Sequence, residues 1–155
     1  MSPEFSRPLR LARLAPDGQT VTVRAGPAEL AALARRFAVP AVLELACEFH
    51  LRPQGRGVVA AEGSLAARLE RVCVATLEPF VETVAERFAL RFVPEGASSE
   101  EEDFEAPDEI PYAGAAIDLG EAAAEQLALA FDPWPRKAGP RMPGADDPDA
   151  PAGRG

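Results

Sequence analysis

The single histidine is the first residue to test for catalytic chemistry. His50 lies between Glu48 and Arg52, in a stretch where apolar and polar residues alternate. A general base needs a nucleophile within hydrogen-bond reach, and the sequence pairs no Ser or Cys nucleophile with His50. We interpret His50 as an exposed imidazole on the polar side of a strand. No catalytic residue is therefore assigned, and we do not expect an enzyme.

A glycine-rich stretch offers a second candidate, a nucleotide site. Gly55-Arg-Gly-Val-Val-Ala60 matches the dinucleotide-binding pattern G-x-G-x-x-A and follows a predicted strand. That pattern holds a pyrophosphate only where a helix N-terminus follows directly. Val58 and Val59 are β-branched, and Gly63 would fall inside such a helix, so we favour a hairpin turn. A small nucleotide-binding domain or enzyme that uses Gly55–Ala60 or His50 is the alternative hypothesis.

Metal and redox chemistry have little support in the sequence. Cys47 and Cys73 are far apart in sequence, and each sits among alternating apolar residues, which favours two buried thiols. The acidic cluster Glu100-Glu-Glu-Asp103 lacks the spacing of a calcium loop and is typical of a solvated charge run. We therefore predict no metal, no cofactor and no small-molecule substrate.

Charge is distributed unevenly along the chain. Residues 1–93 carry 12 Arg and 10 acidic residues, a balance of +2, whereas residues 94–155 carry 4 basic and 15 acidic residues, a balance of −11, which gives the net charge of −9. Net negative charge disfavours nonspecific nucleic-acid binding, which depends on phosphate neutralisation. A local face bearing Arg could still contact RNA, and the acidic second part could hold a basic protein.

The length fits one domain with tails. We place the domain at residues 1–137, followed by a disordered tail at 138–155 that is rich in Pro, Gly, Ala and Asp. No uninterrupted apolar run approaches the ~20 residues of a membrane-spanning helix. The first residues lack the apolar core of a secretory signal. We expect a cytoplasmic protein without membrane contact.

The first 40 residues predict a hairpin and a helix. Phe5–Leu14 and Gln19–Val23 read as two strands joined by the turn Pro16-Asp-Gly18. Pro27 suits the first position of a helix that Pro40 ends. The apolar residues of this helix fall on one stripe; they are Leu30, Leu33, Ala34 and Phe37.

Two long strands and a corner follow. Val42–Arg52 alternates as an antiparallel strand with one wet face does, and its apolar side comprises Leu43, Leu45, Cys47, Phe49 and Leu51. Val58–Cys73 is predicted to return as a second strand, although residues 64–71 also fit a helical period. Pro79 should break regular pairing at Glu78-Pro79, and Val84–Val93 forms the next strand.

The last part of the predicted domain combines a loop and a second helix. Residues 95–112 are predicted to form a mobile acidic loop, because eight acidic residues fall between Glu95 and Glu109 with little apolar content. Asp118 and Glu121 have the spacing of a capping box, so a helix should begin at Asp118. The chain is thus predicted to be α+β, with a mainly antiparallel sheet of about five to seven strands and two packed α-helices.

Several segments occur in an order that resembles one family. They are Cys73-Val-Ala-Thr-Leu-Glu-Pro-Phe80, the strand Phe88–Phe92, the acidic run, and the segment from Ile117-Asp-Leu-Gly-Glu121 to Asp132-Pro-Trp-Pro-Arg136. This arrangement resembles the YceD family, the large ribosomal RNA subunit accumulation proteins of bacteria and plastids. The resemblance covers roughly residues 1–137 and is strongest from Arg71 onward.

The resemblance implies a non-enzymatic ribosome-biogenesis factor that supports the synthesis, processing or stability of large-subunit ribosomal RNA. Many relatives carry Cys-x-x-Cys where this chain has Cys73-Val-Ala-Thr76, so the second cysteine is missing here. The matching motif residues, which the resemblance marks as possible binding residues, are Cys73, Thr76, Leu77, Glu78, Pro79, Phe80, Asp118 and Leu119.

Two binding modes remain open at this point. The chain could contact large-subunit rRNA through Arg52, Arg87 and Arg91. Alternatively, it could hold a basic ribosomal protein through its acidic residues, which are Glu100, Glu101, Glu102, Asp103 and Glu105. We favour the ribosomal protein, because the net negative charge repels RNA.

Overall fold

The computed structural model describes residues 4–96 and 108–130 and has an α+β architecture, as predicted. In chain order the elements are β1 (Pro8–Arg10), a 3-10 helix (Leu11–Arg13), β2 (Gln19–Arg24), α1 (Pro27–Phe37), β3 (Ala41–Gly55), β4 (Val58–Val72), β5 (Pro79–Pro94), β6 (Asp108–Tyr112), β7 (Ala116–Asp118) and α2 (Leu119–Ala130). A five-stranded sheet has the order β2-β3-β4-β5-β6, and a two-stranded sheet pairs β1 with β7. Among the strand pairs of the described residues, only β5–β6 is parallel.

One face of the large sheet is covered and the other is wet. Strand side chains alternate between the faces, and Leu45, Cys47, Phe49 and Leu51 of β3 are buried while Glu48 and His50 are exposed. Leu33 and Ala34 of α1 and Leu119, Ala123 and Leu127 of α2 join the same core cluster. Both helices therefore pack on one face and leave the other to solvent. We call the solvent side the wet face.

The glycine-rich stretch forms a hairpin turn, as favoured above. Gly55, Arg56 and Gly57 all have left-handed backbone, with φ of 88°, 59° and 78°. The chain then pairs directly with β3 as strand β4, so no helix N-terminus follows to hold a pyrophosphate. Residues 64–71 belong to β4, which resolves the ambiguity between strand and helix in favour of the strand.

Gly63 allows two aromatic rings to meet across the centre of the sheet. It pairs with Phe49 on β3 and Phe88 on β5. A Cβ on Gly63 would lie 2.1 Å from Cζ of Phe88, so the Phe88 ring occupies the space of the missing side chain. The rings of Phe49 and Phe88 meet edge to face with centroids 5.7 Å apart, an arrangement that aromatic pairs favour.

The N-terminal segment is bonded to the starts of both helices. Arg7 donates two hydrogen bonds to Glu29, of 2.6 and 2.8 Å, and Glu29 also accepts the Gly26 N–H at the start of α1. The bonds from Arg7 lower the pKa of Glu29. Asp118 accepts from the Ser6 hydroxyl, the Arg7 N–H and the Glu121 N–H. The last bond is the predicted cap of α2.

The predicted N-terminal hairpin is wrong. Of the expected strand Phe5–Leu14, Pro8–Arg10 forms a strand, and residues 11–13 turn into a 3-10 helix. β1 pairs with β7, and β2 pairs with β3. The reason is burial: Phe5 enters the core beside α2, so the segment joins the end of the chain rather than its neighbour in sequence.

Three further features differ from prediction. A register irregularity between Val42 and Glu44 buries Val42 and leaves Leu43 36% exposed, so Leu43 does not share the apolar side predicted for it. β5 begins at Pro79 rather than Val84, because proline is tolerated at the first residue of a strand. Asp108–Tyr112, expected in the mobile loop, form β6, where Ile110 and Tyr112 pack against the core. Residues 97–107 and the predicted tail at 138–155 lie outside the described residues.

Candidate functional site

The turn between β4 and β5 carries most of the motif residues singled out from the sequence. The N–H of Cys73 donates to the Glu78 carbonyl over 2.9 Å, and the N–H of Leu77 donates to the Cys73 carbonyl over 2.8 Å. The hydroxyl of Thr76 accepts the Glu78 N–H at 3.3 Å. Pro79 then pairs with Val72 and begins β5. The motif is thus a closed hairpin end rather than an open loop.

Leu77 has an unusual conformation at this hairpin end. Its φ of 63° lies in the left-handed region, which costs an L-residue about 1–2 kcal/mol. Its side chain is 76% exposed, so core packing does not compensate for this strain. Strained backbone at an exposed position is typical of functional sites. The turn therefore presents a leucine outward at a cost in stability.

Other exposed apolar side chains lie at the same end of the hairpin as Leu77. Val72 precedes the turn, Val74 lies within it, and Val81 follows it on β5, and each is more than 40% exposed. Contiguous exposed apolar residues mark interaction sites more often than chance, whereas scattered single ones do not. We call Val72, Val74, Leu77 and Val81 the hairpin patch.

An ion pair between β4 and β5 lies next to the hairpin patch. Arg71 is 4% exposed and its guanidinium donates to the Glu82 carboxylate over 2.6 Å. Cys73, two residues further along the chain, is also buried. Phe80, which pairs with Arg71 on the neighbouring strand, is half-buried. Residues 71–73 and 78–82 therefore bond the two strands to each other at the hairpin end. The ion pair was not singled out in the sequence, where Arg71 looked like any other strand arginine.

The three predicted RNA-contacting arginines lie on the wet face. Arg52 and Arg87 are exposed, and Arg91 donates to Glu109 of β6 over 2.9 Å. Glutamates lie among these arginines. Glu62 is the diagonal neighbour of both Arg52 and Arg87, and Glu48 pairs with Ser64, which pairs with Arg87. The wet face thus carries mixed charge rather than a continuous cationic surface.

His50 lies on the same face in an open setting. Thr20 contacts its Nδ1 at 2.9 Å and Glu48 lies 3.5 Å from its Nε2, but the imidazole side chain is 60% exposed. A hydroxyl, an imidazole and a carboxylate in this order resemble a catalytic arrangement. All three side chains are exposed on the wet face.

The cysteines and the remaining motif residues have structural surroundings. Burial raises the pKa of the Cys47 thiol to about 12, which keeps it protonated and unreactive. Among the described residues, no group of three or more His, Cys, Asp or Glu side chains could hold a metal ion. Asp118 caps α2, and Leu119 is fully buried. Asp118 therefore belongs to the start of α2 and Leu119 to the core, and neither lies at the hairpin end.

The acidic residues from Glu100 to Glu105 fall outside the described residues, so the structure does not place them. Glu95 and Asp108, which flank this segment, are both exposed at the β5–β6 side of the sheet. No helix in the described ranges is long and apolar enough to cross a membrane.

These features define an α+β protein whose most distinctive exposed element is the end of a β-hairpin. A family model described as "Large ribosomal RNA subunit accumulation protein YceD" matches residues 61–153, which is more than half of the chain. The chain belongs to the YceD family, as its sequence motifs indicated. The description of the family supports a role in ribosome biogenesis. No curated protein and no solved structure matches the chain.

Proposed function

We propose that this protein supports the accumulation of large-subunit ribosomal RNA by binding, without catalysis, and that its direct partner is a basic ribosomal protein in the cytoplasm. The family description supplies the connection to the ribosome. The observation that carries the choice of partner is the charge distribution. The wet face mixes Arg with Glu, and the chain has a net charge of −9, so electrostatics favours a cationic protein over a phosphate backbone.

The hairpin patch supports a binding role. It presents apolar side chains on a rigid hairpin that is held by the Arg71–Glu82 pair, and interfaces gain much of their energy from such desolvated apolar centres. The net negative charge of the chain together with the exposed hairpin patch suits a partner that is both basic and partly apolar. The open surroundings of His50 give no support to the alternative of a small enzyme.

The direct test measures binding of the purified chain to individual large-subunit ribosomal proteins and to large-subunit rRNA fragments at two salt concentrations. We expect one or more basic ribosomal proteins to bind and rRNA to bind weakly or not at all. A variant with Glu100, Glu101, Glu102, Asp103 and Glu105 changed to Gln or Asn should bind the ribosomal protein more weakly. Depletion of the protein from cells should lower mature large-subunit rRNA; unchanged rRNA would contradict the proposal.

Direct rRNA binding is the second candidate, because Arg52, Arg87 and Arg91 share one face of the sheet. Arg52→Ala and Arg87→Ala are the informative variants, since Arg91 also bonds to Glu109 and its loss would disturb β6. If rRNA is the partner, each change should weaken binding and reduce the salt slope by about one. Unchanged rRNA binding in both variants would remove this candidate.

A further inference from the structure

Within the residues that the structure describes, one edge of the large sheet is open beside the hairpin patch. β5 extends from Pro79 to Pro94, but β6 pairs only with Leu90–Pro94. Within residues 4–96 and 108–130, no strand pairs with the outer edge of β5 from Pro79 to Ala89. Alternate residues of an unpaired edge present their N–H and C=O groups outward and can template another strand. The open edge is about ten residues long, or roughly 33 Å.

The open edge lacks most of the usual features that prevent strand addition. Its pairing with β4 runs without a bulge from Val59–Phe92 to Val72–Pro79, and its prolines stand only at the two ends of β5. Natural edges are commonly blocked by bulges, internal prolines or charged side chains, lysine above all. Of these features the described edge has only charged side chains, and its glutamates repel an acidic strand and attract a basic one.

The two sides of the edge call for different side chains on an incoming strand. On the helix side, Glu82 and Glu86 alternate with Val84; Glu82 bonds to Arg71, whereas Glu86 and Asp108, where β6 begins, are exposed. On the wet face, Val81, Thr83 and Ala85 are small or apolar and exposed, and the exposed Arg87 follows them. Because a strand alternates its side chains, one that adds here would place basic residues on the helix side and apolar residues beside the hairpin patch.

We propose that the outer edge of β5 from Pro79 to Ala89 binds an extended segment with alternating basic and apolar residues, which adds to the sheet as a further strand. Main-chain hydrogen bonds supply the affinity, and the alternation of charge supplies the specificity. The identity of the segment as part of a ribosomal protein rests on the function proposed above; the strand-addition site does not. A second copy of this chain is a poor occupant, because its own β5 edge would bring glutamates against glutamates.

The site can be tested with a synthetic peptide of about ten alternating Lys and Val residues and the full-length chain. Hydrogen exchange should slow at outward-facing amides within Pro79–Ala89 when the peptide is present. The same peptide with alternate backbone amides methylated keeps its charge but cannot pair as a strand, and it should give no protection. Equal protection by both peptides, or protection confined to other strands, would overturn the proposal. So would concentration-dependent self-association of the chain through this edge.

Charge reversal supplies a matched pair of variants. Glu86→Lys changes an exposed residue on the open edge, and Glu62→Lys changes an exposed residue on the central strand β4. We expect Glu86→Lys to weaken peptide binding about tenfold at low salt and Glu62→Lys to leave it within about twofold. Equal weakening by both would show nonspecific attraction to the protein and would contradict the site.

The same variants separate this inference from the proposed function. If a ribosomal protein binds the wild-type chain and Glu86→Lys equally well, the β5 edge is not its site, whereas the proposed function stands. If no ribosomal protein binds but the Lys-Val peptide protects β5, the edge site stands and the proposed function fails.

Discussion

Leu77 combines a strained backbone conformation with an exposed side chain. Glycine adopts a positive φ without the penalty that leucine pays, although it also gains freedom in the unfolded chain. We therefore expect Leu77→Gly to raise the free energy of unfolding by up to about 1 kcal/mol, as measured by urea denaturation, while weakening partner binding. Leu77→Ala is the matched control: it removes the side chain, keeps the strain, and should reduce binding without a gain in stability. A clear loss of stability in Leu77→Gly would mean that the side chain packs in the folded state.

Glu121 gives a pH-dependent prediction at the same scale. Its Oε1 is buried and, among described residues, accepts no hydrogen bond; the Arg36 guanidinium is 3.8 Å away. Burial, more than any neighbouring charge, raises its pKa. A raised pKa means that the folded protein is stabilised most below the ordinary Glu value of about 4.3, and loses this stabilisation as pH rises through the folded pKa.

Glu121→Gln imitates the protonated form at every pH. The melting temperature of this variant should exceed that of the wild type at pH 7, and the difference should disappear below about pH 4. Glu48→Gln, on the wet face, is the control and should change the melting temperature little at either pH. A lower melting temperature for Glu121→Gln at pH 7 would indicate that attraction to Arg36 outweighs burial.

At the scale of elements, the β3–β4–β5 core of the sheet depends on the absence of a side chain at Gly63. Gly63→Ala should displace the Phe88 ring from its contact with Phe49 and lower the free energy of unfolding by about 1–2 kcal/mol. In a Phe88→Ala background the same change should cost much less, because the ring is gone. Urea denaturation of the wild type, the two single variants and the double variant measures this coupling. If the two losses in the free energy of unfolding simply add, the steric explanation is contradicted.

The elements also show how far sequence reasoning reaches. Both α-helices, the long antiparallel strands and the capping role of Asp118 follow from local patterns of polarity and turn residues. The pairing of β1 with β7 does not, because nothing local specifies a partner more than 100 residues away. The exposure of Leu43 was missed for a related reason: the register irregularity between Val42 and Glu44 interrupts the alternation, so Leu43 does not lie on the buried side with Leu45.

The candidate site was only partly predictable. The sequence singled out the motif from Cys73 to Phe80, and Pro79 indicated that regular strand pairing is interrupted there. The left-handed backbone of Leu77 and the Arg71–Glu82 ion pair could not be predicted, because the residue types involved do not indicate these features. The open β5 edge is a property of strand lengths, which depend on where pairing stops and not on composition.

At the scale of the whole molecule, the N-terminal segment is joined to the end of the domain through Phe5. Phe5 is fully buried, and its carbonyl lies so close to Gly120 that a Cβ there would approach it to 2.8 Å. Phe5→Ala should lower the free energy of unfolding by about 3–4 kcal/mol and speed proteolysis before β1. Pro8→Ala, at an exposed neighbour, is the control. A loss below about 1 kcal/mol would show that the segment is dispensable.

The parallel pairing of β6 with β5 has a further consequence for evolution. The chain leaves β5 after Pro94 and must return to begin β6 beside Leu90, so the connection starts and finishes near one corner of the sheet. An insertion or deletion between these fixed anchor points alters closure entropy by only about 0.6 kcal/mol per doubling of length. We therefore expect insertions and deletions in this acidic connection to be tolerated while the pairing of β5 with β6 is kept.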